Sequence, residues 1–401
     1  MGKTSFSEKT TSLLLINPAG MGRISDEISF FYQLNGISTL ERRGFDVKDF
    51  FGDYLTTSDY VVNHNKLIGS GLGIAGNKIR GPLKFTAAFS VNPLTSFGYK
   101  YVEEIRGKMS FDDGIIGNKD PLLGYHHYEV RGQLERYSFG MGLHYQLDEW
   151  FELNWGVAIH KVPSSSIHDI FKVDTLQSID GYLAGVQSLD EVTNTSQGQF
   201  ASFGFELNTW KGVSISVALD TELQIESDSF LTLSANHPSG LPEFFNQESN
   251  TYMLNGINYI KPSRLSLGMA YSNLGKNPVL VCVDFRTIGG YTFDENSGSS
   301  LQMMESNSWH FGFEYITLSL IPVRVGMIYK QSPFQTLDPT STITVGSGFN
   351  IEKLKIDFAT GFQSMEYGYP DLFPVDGDVR PDLDRVKESS FHFNISLSYT
   401  I

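Results

Sequence analysis

The last eleven residues carry the plainest pattern in the chain. Phe391, Phe393, Ile395, Leu397, Tyr399 and Ile401 alternate with His392, Asn394, Ser396, Ser398 and Thr400. Successive side chains of a strand point to opposite faces, so this period of two makes one face apolar and the other polar, whereas a helix would scatter both classes around its circumference. The same period runs through Val213–Leu219, Leu265–Tyr271, Trp309–Tyr315, Val323–Tyr329 and Leu354–Phe358. Counting back from the C-terminus, it predicts strands near 388–401, 352–364, 341–350, 321–332, 306–318, 277–288, 262–273, 211–223, 198–209, 150–162, 124–147, 82–105, 66–77 and 27–40. The class is all-β, a 14-stranded antiparallel transmembrane β-barrel with a short N-terminal luminal plug.

Two features favour a bilayer over a soluble sandwich, which also alternates. The apolar face is large and aromatic, while the opposite face carries Gly, small polar residues and isolated charges. A soluble barrel would turn its bulky apolar face inward. The connections also alternate between short and long. Asp148-Glu149, Trp210-Lys211, Leu274-Gly275-Lys276 and Ile351 mark tight turns, and polar segments near 163–197, 224–261, 289–305 and 365–387 separate them. Outer-membrane barrels have short periplasmic turns, longer extracellular loops and an even strand number that leaves both termini in the periplasm. Within 163–197, the spacing of Ile179, Leu183, Val186 and Leu189 predicts a short amphipathic helix.

Composition narrows the class further. Of 401 residues 19 % are charged and 13 % aromatic, and there are 39 glycines, a mixture suited to a turn-rich, girdled sheet. The net charge of −15 argues against nucleic acid, which requires clustered cations. The single cysteine, Cys282, excludes an internal disulfide framework and a cysteine-rich metal site. No apolar run approaches the roughly 18–20 residues of a membrane-spanning helix. The start, Met1-Gly2-Lys3-Thr4-Ser5, has no secretory signal pattern, so the expected location, a bacterial outer membrane, implies export through a leader that is not in this sequence. No Gly-x-Ser-x-Gly elbow, phosphate loop or His-Glu-x-x-His helix is present, and neither catalytic residues, a metal nor a cofactor is expected.

The stretch Ile16-Asn17-Pro18-Ala19-Gly20-Met21 resembles the Asn-Pro-Ala-Gly element of the FadL/TodX family of outer-membrane channels for long-chain fatty acids and other hydrophobic compounds. Lys261-Pro262-Ser263-Arg264-Leu265-Ser266-Leu267-Gly268-Met269-Ala270-Tyr271 is similar to a strand of that family, followed in the expected order by Val279–Phe285 and Pro322–Tyr329. The resemblance implies a luminal plug over 1–25 and a barrel over 26–401. It also implies a lateral opening at a kink in the third strand, and passive uptake of a hydrophobic molecule. The family's plug is usually longer than the sixteen residues that precede Asn17 here.

Plug residues by this reading are Leu14, Ile16, Asn17, Pro18, Ala19 and Gly20. The kink falls at Asn92, Pro93 and Gly98, since proline cannot donate to a ladder; a turn between two shorter strands is the alternative. A fatty acid requires a cation for its carboxylate in an apolar setting. The inward candidates by alternation are Arg324, Arg286, Arg264 and Lys355, along with Lys330. Asp220, Asp284, Glu314 and Asp357 are available as structural partners for the same cations. Phe244 and Phe245 would line an extracellular entry groove or pack the loop on itself. Expected partners are a hydrophobic small molecule such as a fatty acid, outer-membrane lipid and lipopolysaccharide, with the barrel acting as a monomer. The competing readings are a secretion or assembly platform and a surface adhesin, both using the barrel without transport.

Overall fold

The computed structural model describes residues 4–6, 10–24, 28–106, 122–175, 185–209, 211–236, 250–255, 258–273, 278–294, 300–373 and 383–401. Fourteen strand positions close into one antiparallel barrel. They are β1 (Ile28–Lys48), β2 (Tyr54–Arg80), β3 (Leu83–Arg106), β4 (Leu122–Gln146), β5 (Phe151–Val162 and Ser165–Thr175), β6 (Gly185–Thr195 and Gly198–Thr209) and β7 (Val213–Asp220 and Ser227–Asn236). The circuit continues with β8 (Asn250–Asn255 and Arg264–Asn273), β9 (Val279–Ile288), β10 (Ser306–Ile316), β11 (Pro322–Lys330), β12 (Thr340–Ile351), β13 (Leu354–Tyr369) and β14 (Asp384–Thr400). Each pairs with its chain neighbour, and β14 pairs with β1 from Ser29–Thr400 to Gly44–Arg385.

The wall is inverted relative to a soluble protein. On β10 the rings of Trp309, Phe311 and Phe313 are 41–44 % exposed on the outside, while the inward Ser308 and His310 are 6–7 % exposed. The same alternation places Leu265, Leu267, Met269 and Tyr271 outside on β8, and buries Ser266 and Ala270 within. A continuous outward apolar band results, and hydrocarbon is the medium it matches.

The strands overrun that band. β2 has 27 residues, roughly 90 Å at about 3.4 Å per residue, where a tilted spanning strand needs about 9–11. Much of what the alternation assigned to loops is therefore strand that continues beyond the band on the side away from the termini. The first two strands, expected at 27–40 and 66–77, extend to Lys48 and start at Tyr54, with a turn over 49–53 in place of a long connection. Segments 163–197, 224–261 and 365–387 likewise hold strand pairs. The helix expected around Val186 and Leu189 is replaced by the strand Gly185–Thr195; Ile179 and Leu183 lie outside the described residues. Faces that mix polar and apolar residues hid these extensions, because alternation is legible only where one face is uniformly apolar.

At the opposite end the turns are short, as expected at Asp148-Glu149 and after Ile351, where Glu352 adopts a φ of 49°. Gly212 closes the β6–β7 turn at φ 77°, a conformation that glycine adopts without steric cost.

The inverted wall predicts that Phe311→Arg, at the middle of the outward face, destabilises the barrel by roughly 2–4 kcal/mol. Equilibrium refolding into lipid vesicles against urea measures this. The inward change Ser266→Thr in the same assay is expected to have a far smaller effect.

Candidate ligand site and luminal segment

Residues 10–24 run through the interior. Leu13–Ile16 form a single helical turn, and Pro18–Arg23 a 3-10 helix. Asn17 caps the second: its Oδ1 accepts from Ala19 N at 3.0 Å, and Pro18 fills the first helical position, where no N–H is needed. A row of directly paired glycines, Gly142–Gly156–Gly204 on β4, β5 and β6, lies beneath this segment. A Cβ at Gly156 would strike the Pro18 carbonyl, one at Gly204 the Asn17 side chain, and one at Gly142 would come within 2.6 Å of Met21 Cβ. The row is a groove in the wall that only glycine leaves open.

Polar contacts fix the rest. Arg23 donates to Glu206 Oε2 on β6 and to the Ser5 carbonyl, both at 2.7 Å. Ser5 N and Oγ both donate to Asp284 Oδ2 on β9 at 2.7 Å. Leu13, Leu14, Met21 and Ile24 pack with Phe31, Ala75, Ala88 and Ala158.

Beside this segment the wall folds inward. Between the two parts of β7 and of β8, Leu223–Ile225 pairs with Tyr259–Lys261. Leu223 and Ile225 are buried there with Leu134, Val162 and Phe200, and Leu94, Phe97 and Tyr259 pack against them. This apolar cluster borders cations. Lys261 Nζ lies 3.4 Å from Asp220 and 4.3 Å from the centre of the Phe200 ring. Arg264 Nη2 lies 2.9 Å from the same carboxylate and donates to the Leu15 carbonyl at 2.6 Å. Arg136 on β4 is within electrostatic reach of Asp220, Arg264 and Tyr259, and its Nε is buried without a partner. Lys261 and Arg264 thus share the Asp220 carboxylate against an apolar surface, with Arg136 close by.

His160 adjoins this cluster, stacked on Phe200 at 4.4 Å between ring centres. Ser202 donates to Asp220 at 2.7 Å, so its oxygen accepts from His160 Nε2, and Nδ1 accepts from Ser138. That row fixes a neutral tautomer and leaves neither ring nitrogen free for a metal; no group of three metal-ligating side chains occurs among the described residues.

The other expected cations lie elsewhere. Arg324 is clamped between Glu314 at 2.5 Å and Asp357 at 2.6 Å. Arg286 pairs with Asp284 at 3.1 Å, and Lys355 with Asp357 at 2.8 Å. Lys355 lines a separate polar cleft of about 290 Å³ at the short-turn end, with Arg23, Ser29, Lys353 and Thr400. Of the four named candidates only Arg264 joins the cluster. Lys261 was missed because 224–261 read as a loop; Arg136 lies within the strand expected at 124–147, and only the long-range inward turn of Tyr259–Lys261 toward it sets it apart from other strand cations. Phe244 and Phe245 lie outside the described residues.

At Asn92-Pro93 the chain does not turn. β3 continues to Arg106, but its register on β4 shifts between Pro93 and Thr95. On its other side, pairing with β2 runs from Arg80–Leu83 to Leu72–Val91 and goes no further among the described residues. Beyond that point side chains replace the ladder: Asn65 Oδ1 accepts from Lys100 N at 2.7 Å and Asn63 Oδ1 from Val102 N at 3.2 Å. Arg136 faces Asn92 directly across β3–β4, so the seam and the cation cluster adjoin.

Above the seam, Tyr99 donates to Glu41 Oε2 at 2.9 Å, Tyr60 donates to Asp384, and Arg43 pairs with Glu41 at 2.7 Å. Burial, then the neighbouring carboxylates, pushes the Tyr60, Tyr99 and Tyr101 phenols up, so they remain neutral donors across physiological pH.

The closed 14-strand barrel has counterparts among solved structures. A Pseudomonas aeruginosa FadL homologue matches over 99 % of this chain and 95 % of its own, at a TM-score of 0.60 and 14 % identity. The Pseudomonas putida toluene transporter TodX matches over 100 % and 96 %, at 0.59 and 16 %. The chain has the FadL/TodX fold. The Ralstonia pickettii toluene transporter TbuX has the same fold at a TM-score of 0.51 and 15 % identity, over 98 % of this chain and 94 % of its own. No family model and no curated protein sequence matches the chain. At these identities the FadL/TodX likeness is one of architecture, and the chemistry of the lumen has to be argued from this chain's own residues.

The glycine groove predicts that Gly156→Val dislodges Asn17–Gly22, at a cost of roughly 1–3 kcal/mol from overpacking. Hydrogen exchange at Ala19 and Gly20 is expected to accelerate, with little change in the amides of β10 and β11.

Proposed function

We propose that this chain is an outer-membrane channel for passive passage of hydrophobic small molecules, including amphiphiles with a carboxylate such as fatty acids. In this reading residues 1–25 form a plug in a barrel of 26–401. The observation that carries it is the apolar cluster of Leu134, Phe200, Leu223 and Ile225 bordered by Lys261 and Arg264, which share the carboxylate of Asp220, and by Arg136, whose Nε is buried without a partner among the described residues. A lumen of paired charges is ordinary in a barrel, but an excess of cations against an apolar surface is costly without an anion. A carboxylate whose tail lies on the cluster meets both needs.

The plug reading is supported by the glycine groove and by the main-chain carbonyls that Arg264 holds. Because the same guanidinium nitrogen serves Asp220 and Leu15, an arriving carboxylate competes directly for the plug's tether. A lateral exit at the β2–β3 seam is supported by Asn63 and Asn65, whose side chains stand in for a ladder there. The likeness to toluene transporters supports apolar cargo generally, and the cations favour a charged headgroup.

Two measurements test this reading. Binding of oleate and of hexadecane to the purified barrel is compared by native mass spectrometry for wild type and Arg136→Leu/Lys261→Met. Oleate is expected to weaken by about tenfold or more, near 1.4 kcal/mol, and hexadecane by less than about twofold. Equal loss of both, or no oleate binding to wild type, would refute the carboxylate site. In liposomes, Leu67→Cys/Gly98→Cys is designed to close the seam with a disulfide, since Leu67 Cγ, where the cysteine sulfur would sit, is 3.9 Å from a Cβ built at Gly98. Oleate passage should stop on oxidation and return with reductant; unchanged passage in the oxidised barrel excludes the seam as exit.

A further inference from the structure

We infer that the outward face of β14, β1 and β2 is a docking site for the phosphates of lipopolysaccharide in the outer leaflet; this rests on the outer-membrane location proposed above. The register sets four basic side chains on three adjacent strands. Arg42 lies directly beside Lys387, Leu40 lies beside His64, and Ser38 lies beside Lys66. Arg42, Lys387, His64 and Lys66 therefore share one outward patch.

Immediately below, on the same face, the rows become apolar. Phe391 flanks Ser38, Phe393 and Ile68 flank Gly36, and Ile395 flanks Leu34. Phe391 is 47 % exposed and Ile68 65 %. The patch thus sits where the apolar band ends, on the side away from the termini, with a surface for acyl chains beneath a surface for anions.

Charge singles this patch out. The whole chain carries −15, yet here the cations outnumber their partners. Among the described residues Lys66 and Lys387 have no carboxylate within 4.0 Å, and Arg42 reaches Asp59 only at 3.9 Å. The acid facing Lys387 across the ladder, Glu366, is taken by Arg385 at 2.5 Å. On β3 and β4, by contrast, Lys100 faces Glu129, which also pairs with Arg131 at 3.1 Å. His64 is oriented by Ser38, whose Oγ is 2.7 Å from Nε2.

The patch covers two strand spacings and four residues along β2, roughly 10 Å by 13 Å from strand geometry. That is wide enough for two phosphates on one sugar headgroup, with Arg42–Lys387 holding one and His64–Lys66 the other. A phospholipid brings a single phosphate and engages only one pair.

The test titrates the full-length, detergent-folded barrel with bisphosphoryl lipid A, monophosphoryl lipid A and phosphatidylglycerol, read by native mass spectrometry. The bisphosphoryl form is expected to bind about tenfold more tightly than either other lipid. Arg42→Gln/Lys66→Gln/Lys387→Gln should abolish that preference, and Lys161→Gln, an outward cation on β5, should leave it intact. Oleate binding should not change, because the patch lies outside the lumen. Equal affinity for all three lipids, or full competition by millimolar inorganic phosphate, overturns the proposal in favour of general anion attraction. A triple variant that keeps the preference overturns it as well. Insertion of the wild-type barrel into vesicles, measured in parallel, separates failure of this site from failure of the membrane reading: a barrel that inserts but does not discriminate loses only the site.

Discussion

In hydrocarbon no water is present to meet an unpaired N–H or C=O, so a sheet survives there only if it has no edge. The pairing of β14 with β1 from Ser29–Thr400 to Gly44–Arg385 removes that edge, and the rest of the structure follows from it. Closure gives every strand one face toward the bilayer and one toward a lumen. It forces the alternation of Trp309, Phe311 and Phe313 with Ser308, His310 and Gly312, and makes the interior a place where charges must find partners. Most do: Arg324 with Glu314 and Asp357, Arg286 with Asp284, Arg23 with Glu206.

The same constraint gives meaning to the place where the β2–β3 ladder stops short. Between β2 and β3 beyond Leu72–Val91, the main chain is held by the side chains of Asn63 and Asn65 and by contacts that reach past the neighbouring strand, such as Tyr99 to Glu41. A side-chain bridge can open without unzipping a ladder. Pro93 is a local reason for the break, since it has no N–H to contribute, and the shifted register on β4 rotates the following residues so that Phe97 and Tyr99 turn inward. The broken strand therefore also builds the wall of the apolar cluster, and the proposed cargo site and exit share one cause.

The luminal segment depends on what the wall lacks. Three paired glycines leave room for Asn17–Met21, and Arg264 connects its helical turn to Asp220. A tether shared between the luminal segment and a cation cluster can couple occupancy of the cluster to release of the segment without any long-range pathway.

The sequence by itself determined the barrel: period-two alternation with the aromatic face outward, an even strand number, and tight turns at Asp148-Glu149 and beyond Ile351. It also marked Pro93, the Asn-Pro-Ala-Gly element, and the acids that pair with the inward cations. These are local properties, expressed in the order of residues along one strand. The tertiary structure decided which cations gather. Arg136, Lys261 and Arg264 come from β4, an inward ribbon and β8; strand register sets Arg264 opposite Asp220, and the inward fold of the ribbon brings Lys261 to the same carboxylate. Arg324 looked equivalent along its own strand but meets two carboxylates from its neighbours. Strand lengths were likewise decided in three dimensions, because above the apolar band each face mixes polar and apolar residues and periodicity loses its contrast. Alternation reports which side a residue faces, whereas partnership across the lumen depends on shear and closure, which no single segment encodes.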